Sequence, residues 1–476
     1  MKNLLSFATN PLIKEQKMKG PNIIRFSLLL ILIFSLMSCS NNRHLKASEK
    51  ALETDGSITM RFHSALYYPA ELSMRFDGYI VGVEKSPRKT LLNDGDLNTV
   101  AIPAAGFKDK EDVEEILNDG KLLYVSHVIK NFREPEEKNC ALYNLYSGID
   151  PETSPLVNEC TDEVLENTST ESEGNNKPFK KSWSALDKLS ESMSNRIKKG
   201  KYTHIVVVTM GWNTPQEEAI RNFNSIIYKL REEHESSIKP LVIGVTWPSE
   251  WTYPLLDPLV RILSFPNKAR DADELGLTWL GVLLHDTIPR ANSGRLPVIV
   301  IGHSFGSRAS SVAACVGPGI YNTVPIKPQH TDTVVNLQGA FLSRRLFGEN
   351  DQGFHFPESC KTVKNFVLTS SKGDDAVRTA IWSMFGGYYA GDSRSYKDIC
   401  TVEAPKVRCV KAGSDGKMTL NGTNNQKNIT LINADDLISE NAYNTGGGAH
   451  SDIFRSQHGR LLRDIINRDF NGTTVK

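Results

Sequence analysis

Along the second half of the chain, short runs of entirely apolar residues alternate with longer stretches in which apolar positions recur every three or four residues. The apolar runs are IVVV at 205–208, LVIGVTW at 241–247, VIVIG at 298–302, TVVNLQG at 333–339, KNFVLTS at 364–370 and NITLIN at 428–433. Apart from a polar residue or two at their ends they do not alternate, so each is expected to be a strand buried on both faces, as in a parallel sheet covered by helices. The intervening stretches supply those helices: EEAIRNFNSIIYKLREEH at 217–234, ELGLTWLGVLLHDTI at 274–288, SRASSVAACVG at 307–317 and IFRSQHGRLLRDIIN at 453–467. Strands alternating with amphipathic helices predict an α/β fold with a mostly parallel central sheet flanked by helices.

The first half reads differently. Strand-like runs, ITMRFH at 58–63 and LLYVSHVI at 122–129, flank a helical stretch, KDKEDVEEILNDG at 108–120. Residues 133–181 are rich in Glu, Asn, Ser and Thr and read as a surface excursion pinned by Cys140 and Cys160. Further upstream, Arg25 precedes the apolar run FSLLLILIFSLM at 26–37, which ends at Ser38-Cys39. That run is too short for a membrane span of about 20 residues, and it suits the apolar region of a secretory leader whose positive flank is Lys19 and Arg25. The expected division is a leader at 1–38, a polar tether at 39–55, an N-terminal extension of extra strands and a polar excursion at 56–181, and an α/β domain at 182–476.

Composition narrows the function classes. The chain of 476 residues carries 56 Lys+Arg against 55 Asp+Glu, a net charge of +1, with no basic run, which excludes the electrostatic footprint of a nucleic-acid binder. At 39% hydrophobic and 23% charged it is neither disordered nor collagen-like nor a polytopic membrane protein. Leu36-Met37-Ser38-Cys39 resembles the bacterial lipobox, which implies that Cys39 is acylated with a diacylglycerol and becomes the mature N-terminus. Ser40 in place of Asp implies, within that resemblance, delivery to the outer membrane. Near-neutral charge then means that membrane attachment comes from the lipid and not from a basic surface. Of the 7 cysteines, the lipid acceptor leaves an even set in an exported chain, a setting that permits disulfides. Cys140 with Cys160 and Cys400 with Cys409 are close in sequence, Cys315 and Cys360 are left over, and the connectivity stays open. No CxxC or HxxxH spacing supports a metal site.

The stretch LPVIVIGHSFGSRA at 296–309 sets G-x-S-x-G between an apolar strand and a helix of small residues. A nucleophile elbow has this context, because the turn that exposes the serine hydroxyl tolerates no bulky side chains on either side. Here the sequence resembles the α/β-hydrolase superfamily, over about 203–469. Three blocks, IVVVTMGWNT at 205–214, VTWPSEW at 245–251 and VIGHSFGSR at 300–308, are similar to a group of poorly characterised bacterial α/β-hydrolases. Where that group has HGYN or HGFN, this chain has Met210, Gly211, Trp212 and Asn213.

The resemblance implies an α/β-hydrolase fold and a triad in the chain order Ser, acid, His. Ser304 is the implied nucleophile. SKGDDAV at 371–377 resembles the S-x-x-D-x-A-L block and points to Asp374 as the acid, with Asp375 the alternative. Of the histidines beyond it, His450 follows the flexible GGGA stretch and precedes a helix expected near Ser451, whereas His458 falls inside that helix and is expected on the surface. His303 is expected to pack against or support the turn. The implied oxyanion donors are the N–H groups of Phe305 and Trp212, the latter also readable as plain core.

The activity implied is hydrolysis of a small-molecule or lipid carboxylic ester or thioester through an acyl-enzyme, with no metal or organic cofactor. An amidase or peptidase with the same triad, or a non-catalytic surface lipoprotein on the same scaffold, are the alternatives, and Met210 is the departure that favours the second. The apolar segment 248–271 reads either as a lipid-binding wall or as a helical insertion. IWSMFGGYYAG at 381–391 lies where substrate-covering insertions could sit.

Overall fold

The computed structural model describes residues 74–85, 123–132, 139–144, 159–160, 180–231, 237–249, 257–293, 296–320, 331–347, 360, 363–378, 387–401, 407–420, 428–440 and 447–467. The expected leader, Cys39, the tether, the strand at 58–63 and the helix at 108–120 lie outside these residues.

Apolar runs become strands because their side chains have helices to pack against on both sides. In chain order these are β1 (Gly78–Lys85), β2 (Leu123–Asn131), β3 (Cys140–Asn144), β4 (His204–Thr209), β5 (Pro240–Thr246), β6 (Val298–His303), β7 (Thr331–Leu337), β8 (Val363–Ser370), β9 (Arg408–Ala412), β10 (Met418–Leu420) and β11 (Ile429–Asn433). They form one 11-stranded sheet in the order β10-β9-β11-β8-β7-β6-β4-β5-β1-β2-β3. From β9 through β1 in that order, neighbours run parallel. The outer strands β10, β2 and β3 are antiparallel additions. Strands from before and after residue 182 thus share one sheet.

Alternate residues of each central strand enter opposite cores. Val207, Val300, Val334 and Phe366 face helices α1 (Lys180–Lys198), α3 (Asp257–Leu277) and α4 (Phe305–Cys315). Val206, Val208, Ile299, Ile301 and Val335 face α2 (Gln216–Arg231) and the last helix, Ser456–Asn467. Each such aliphatic side chain contributes about 1.5–3 kcal/mol by leaving water. The segment 248–271 therefore supplies a helical insertion, α3, laid along α4.

Sheet order positions the site. From β4 the chain passes through α2 to β5 on one side, whereas β6 lies on the other side of β4 and leads through α4 to β7. The loops leaving β4 and β6 diverge, and such a switch point opens a crevice at the carboxyl ends of the strands.

Disulfides join Cys140 to Cys160, Cys315 to Cys360 and Cys400 to Cys409, which fits an oxidising, exported environment. Among the described residues no helix is long and apolar enough to cross a membrane.

Candidate active site

The turn from β6 into α4 holds Ser304 at φ 56° and ψ −120°, a left-handed conformation that a non-glycine residue keeps only when its surroundings over-determine it. Two backbone bonds do so: Ser304 N–H donates to Leu337 O at 3.0 Å, and Ala340 N–H donates to Ser304 O at 3.1 Å. The flanking glycines are steric necessities. A Cβ on Gly302 would lie 2.6 Å from Gly306 O and from Ser307 Cα, and one on Gly306 would run into the Thr209 carbonyl.

Facing Ser304 is the loop after β4. A side chain on Gly211 would begin 2.5 Å from Ser304 Cβ, so this loop passes directly over Ser304. Asn213 sits at φ 58°, a conformation asparagine tolerates better than most residues. The Met210 side chain is buried in the core, and its carbonyl accepts from Trp247 Nε1 at 2.9 Å. With its side chain in the core, Met210 leaves the main-chain N–H groups of the loop unaltered. The ring of Trp212 meets Phe265 of α3 edge-on at 5.5 Å, and Phe265 lies against Phe305 at 4.7 Å. Phe305 N–H is the first in α4 and has no acceptor within the helix.

On the far side of Ser304, β8 ends at Ser370 and the chain turns through Asp374. His450 Nδ1 lies 2.9 Å from both Asp374 Oδ1 and Oδ2, with side-chain exposures of 15% and 0%. Since a carboxylate only accepts, Nδ1 is the donor in this pair. Burial pushes the Asp374 pKa up, opposed by the positive charge and hydrogen bond of His450 and by the Val377 N–H at 3.2 Å. Asp375 opens a short helix, Asp375–Arg378, and approaches Gly448, not the imidazole.

The 447–455 loop that carries His450 is fastened at several points. Ala449 N–H donates to Gly373 O at 2.7 Å, beside a bridge between Asp374 and Gly448. His303 is buried, donates from Nε2 to His450 O at 2.9 Å and lies with its ring 4.8 Å from that of His450, tilted by 41°. Asp452 accepts from Ser439 N at 3.0 Å, Glu440 N at 2.9 Å and Arg455 Nε at 2.7 Å. Sequence reasoning assigned no task to Asp452, Arg455, Trp247 or Ser249; the quoted WPS block was the available signal for the last two.

Ser304 Oγ forms no hydrogen bond to His450 among the described residues. Catalytic hydrogen bonds are often loose before substrate binds.

Two expectations change. The helix after His450 starts at Ser456 and not near Ser451, because residues 451–455 are spent on the anchors just described. His458 is buried, not on the surface, since its spacing to Leu461, Leu462 and Ile465 puts it on the core face of that helix.

Residues 185–313 match a family model described as an alpha/beta hydrolase of unknown function (DUF900). The match covers the loop after β4, the WPS block and the elbow, and stops short of Asp374 and His450. No curated protein matches the chain. Over that span the chain is similar to alpha/beta hydrolases, in keeping with the mostly parallel, helix-flanked sheet.

Proposed function

We propose that the protein is a serine hydrolase of carboxylic esters or thioesters, in which Ser304 is the nucleophile, His450 the base and Asp374 the acid. The observation that carries this is the Asp374–His450 pair, brought from distant parts of the sequence to the carboxyl edge of the sheet where Ser304 sits strained at a helix start.

A serine hydroxyl is a poor nucleophile, so His450 Nε2 takes the Ser304 proton as Oγ attacks the acyl carbon. The carbonyl oxygen becomes an oxyanion, met by the N–H groups of Phe305 and Trp212; losing one donor in such a hole costs about 3–4 kcal/mol of barrier. His450 then gives its proton to the leaving oxygen or sulfur, the alcohol or thiol departs, and water enters by the same route in reverse, restoring the Ser304 hydroxyl and releasing the acid. Asp374 holds the Nδ1–H tautomer and stabilises the imidazolium. The Ser304–His450 hydrogen bond forms in the substrate complex.

Trp212 and Phe265, both partly exposed beside the hole, supply an apolar wall for the substrate. Acylation of Cys39 would hold the enzyme at the outer membrane after export. The decisive experiment is turnover of p-nitrophenyl esters and thioesters by the purified chain: hydrolysis that disappears in Ser304→Ala supports the proposal, and equal turnover by that variant refutes it.

A further inference from the structure

Helix α3 is tied to the nucleophile helix by buried charge. Asp273 accepts from Arg308 Nε at 2.8 Å and Nη2 at 2.5 Å, and from Arg345 Nη1 at 2.8 Å and Nη2 at 3.0 Å. Burial alone would raise its pKa, but the two guanidinium groups outweigh burial and hold the carboxyl well below the usual carboxylate range. This clamp fixes α3 relative to Ser304.

From that fixed helix a buried cation reaches the other way. Lys268 is 2% exposed, and its Nζ donates to the carbonyl of Pro248 and to Asp271 Oδ2 at 3.2 Å. An ammonium is expensive to bury unless its donors are satisfied, so a lysine placed here imposes a position on whatever accepts from it. One of its acceptors is the middle of the Trp247-Pro248-Ser249 turn.

The two residues flanking Pro248 are those that hold the loop over the nucleophile. Trp247 Nε1 donates to Met210 O at 2.9 Å. Asn213 N–H donates to Ser249 O at 3.1 Å, while Ser249 Oγ accepts from Thr214 N at 3.1 Å and donates to Thr214 O at 2.7 Å. Trp212 is therefore pinned on both sides, at Met210 and at Asn213–Thr214, by one turn, and that turn is gripped from α3 by Lys268.

We propose that Lys268 is a positioning residue for the oxyanion hole: through the Trp247-Pro248-Ser249 turn it sets the direction of the Trp212 N–H relative to Ser304. The proposal rests on the serine-hydrolase reading, since only in that reading does the loop receive a developing negative charge. It accounts for a buried lysine outside the triad, tied to the turn that holds the Met210–Thr214 loop.

The test pairs Lys268→Met/Asp271→Asn, which removes both members of this ion pair together, with Trp247→Phe, which cuts the same path at its other end. Each is measured for unfolding midpoint, for kcat and KM on a p-nitrophenyl ester, and for affinity toward a trifluoromethyl ketone that adds to Ser304 and places its oxyanion in the hole. Deleting an oxyanion donor costs about 100- to 1,000-fold in kcat, so a misaimed one is expected to cost about 10- to 100-fold, with KM within about threefold and ketone affinity falling in parallel. Because both changes act through one turn, combining them is expected to cost clearly less than the product of the separate losses.

Folded variants with full kcat and unchanged ketone affinity overturn the proposal, as do losses that simply multiply. If the ion-pair variant does not fold, Trp247→Phe decides: full kcat with unchanged ketone affinity overturns the proposal, and the paired loss supports it. Wild-type protein that neither hydrolyses esters nor binds the ketone brings down the hydrolase reading and this proposal together. Active wild type with unaffected variants brings down the proposal alone.

Discussion

His303 Nε2 donates to the main-chain carbonyl of His450 at 2.9 Å, joining the residue before Ser304 to the residue proposed as its base. The two imidazoles lie 4.8 Å apart with their planes tilted by 41°, and burial together with the neighbouring His450 lowers the His303 pKa to about 3. In the proposed reaction a neutral His303 would add no positive charge beside the imidazolium of His450. His303→Ala is expected to lower kcat about tenfold, the worth of one buried hydrogen bond, with KM little changed, and His303→Gln, which keeps a donor, to recover part of it. Steady-state kinetics check this; equal kcat in the alanine variant would contradict it.

The two adjacent carboxylates are expected to separate cleanly. Only Asp374 meets His450 Nδ1, so Asp374→Asn, which offers a donor where an acceptor is needed, is expected to cut kcat by about 10,000-fold. Asp375→Asn is expected to stay within a few-fold of wild type. Comparable losses in both variants would show that the pairing in the structure is not the working one.

Stability is expected to fall on mild acidification. His127 is buried on β2, with Gln216 Nε2 at 2.9 Å and Ser126 Oγ at 3.1 Å, and burial lowers its pKa to about 3. Burial likewise lowers the pKa of His458 to about 4. These folded-state values lie below the unfolded value of about 6.5, so between that pH and about 3 the unfolded chain binds protons that the folded chain refuses. The stability is fully present above pH 6.5 and is lost as the pH falls, by up to about 1.4 kcal/mol per pH unit for each such histidine. Urea titrations from pH 7.5 to 5 are expected to show this slope, and His127→Gln to make it shallower. An unaltered slope in the variant would rule out His127 as a source.

Lipid attachment is expected at Cys39. Cells producing the full chain with labelled palmitate should yield a membrane-associated, labelled protein, and Cys39→Ser should yield neither label nor membrane association. Label retained by the variant would place the anchor elsewhere.

The central strands were legible because a parallel strand has two buried faces and therefore shows as an unbroken apolar run, as in IVVV and VIVIG. β1 was not, because GYIVGVEK is interrupted by Gly82 and Glu84. Both interruptions have tertiary causes: a Cβ at Gly82 would collide with the His127 ring, and the buried Glu84 accepts from the Tyr124 hydroxyl at 2.7 Å. The elbow was legible since its glycines are demanded locally by backbone contacts. Between Asp374 and Asp375 the residues alone offer no distinction, because neighbouring identical side chains differ only in which way the turn after β8 points them; only the resemblance of SKGDDAV to the S-x-x-D-x-A-L block favours Asp374. His458 was misjudged by weighing its polar neighbours Gln457 and Arg460 above its heptad-like spacing to Leu461, Leu462 and Ile465.

Fluorophosphonate labelling followed by peptide mapping tests the central claim most directly, because phosphonylation needs an activated serine and a formed oxyanion hole but no knowledge of the substrate. The account predicts a single adduct on Ser304 that disappears in Ser304→Ala and is strongly slowed in His450→Ala. Well-folded protein that takes no label, or that carries the label on another residue, would contradict it.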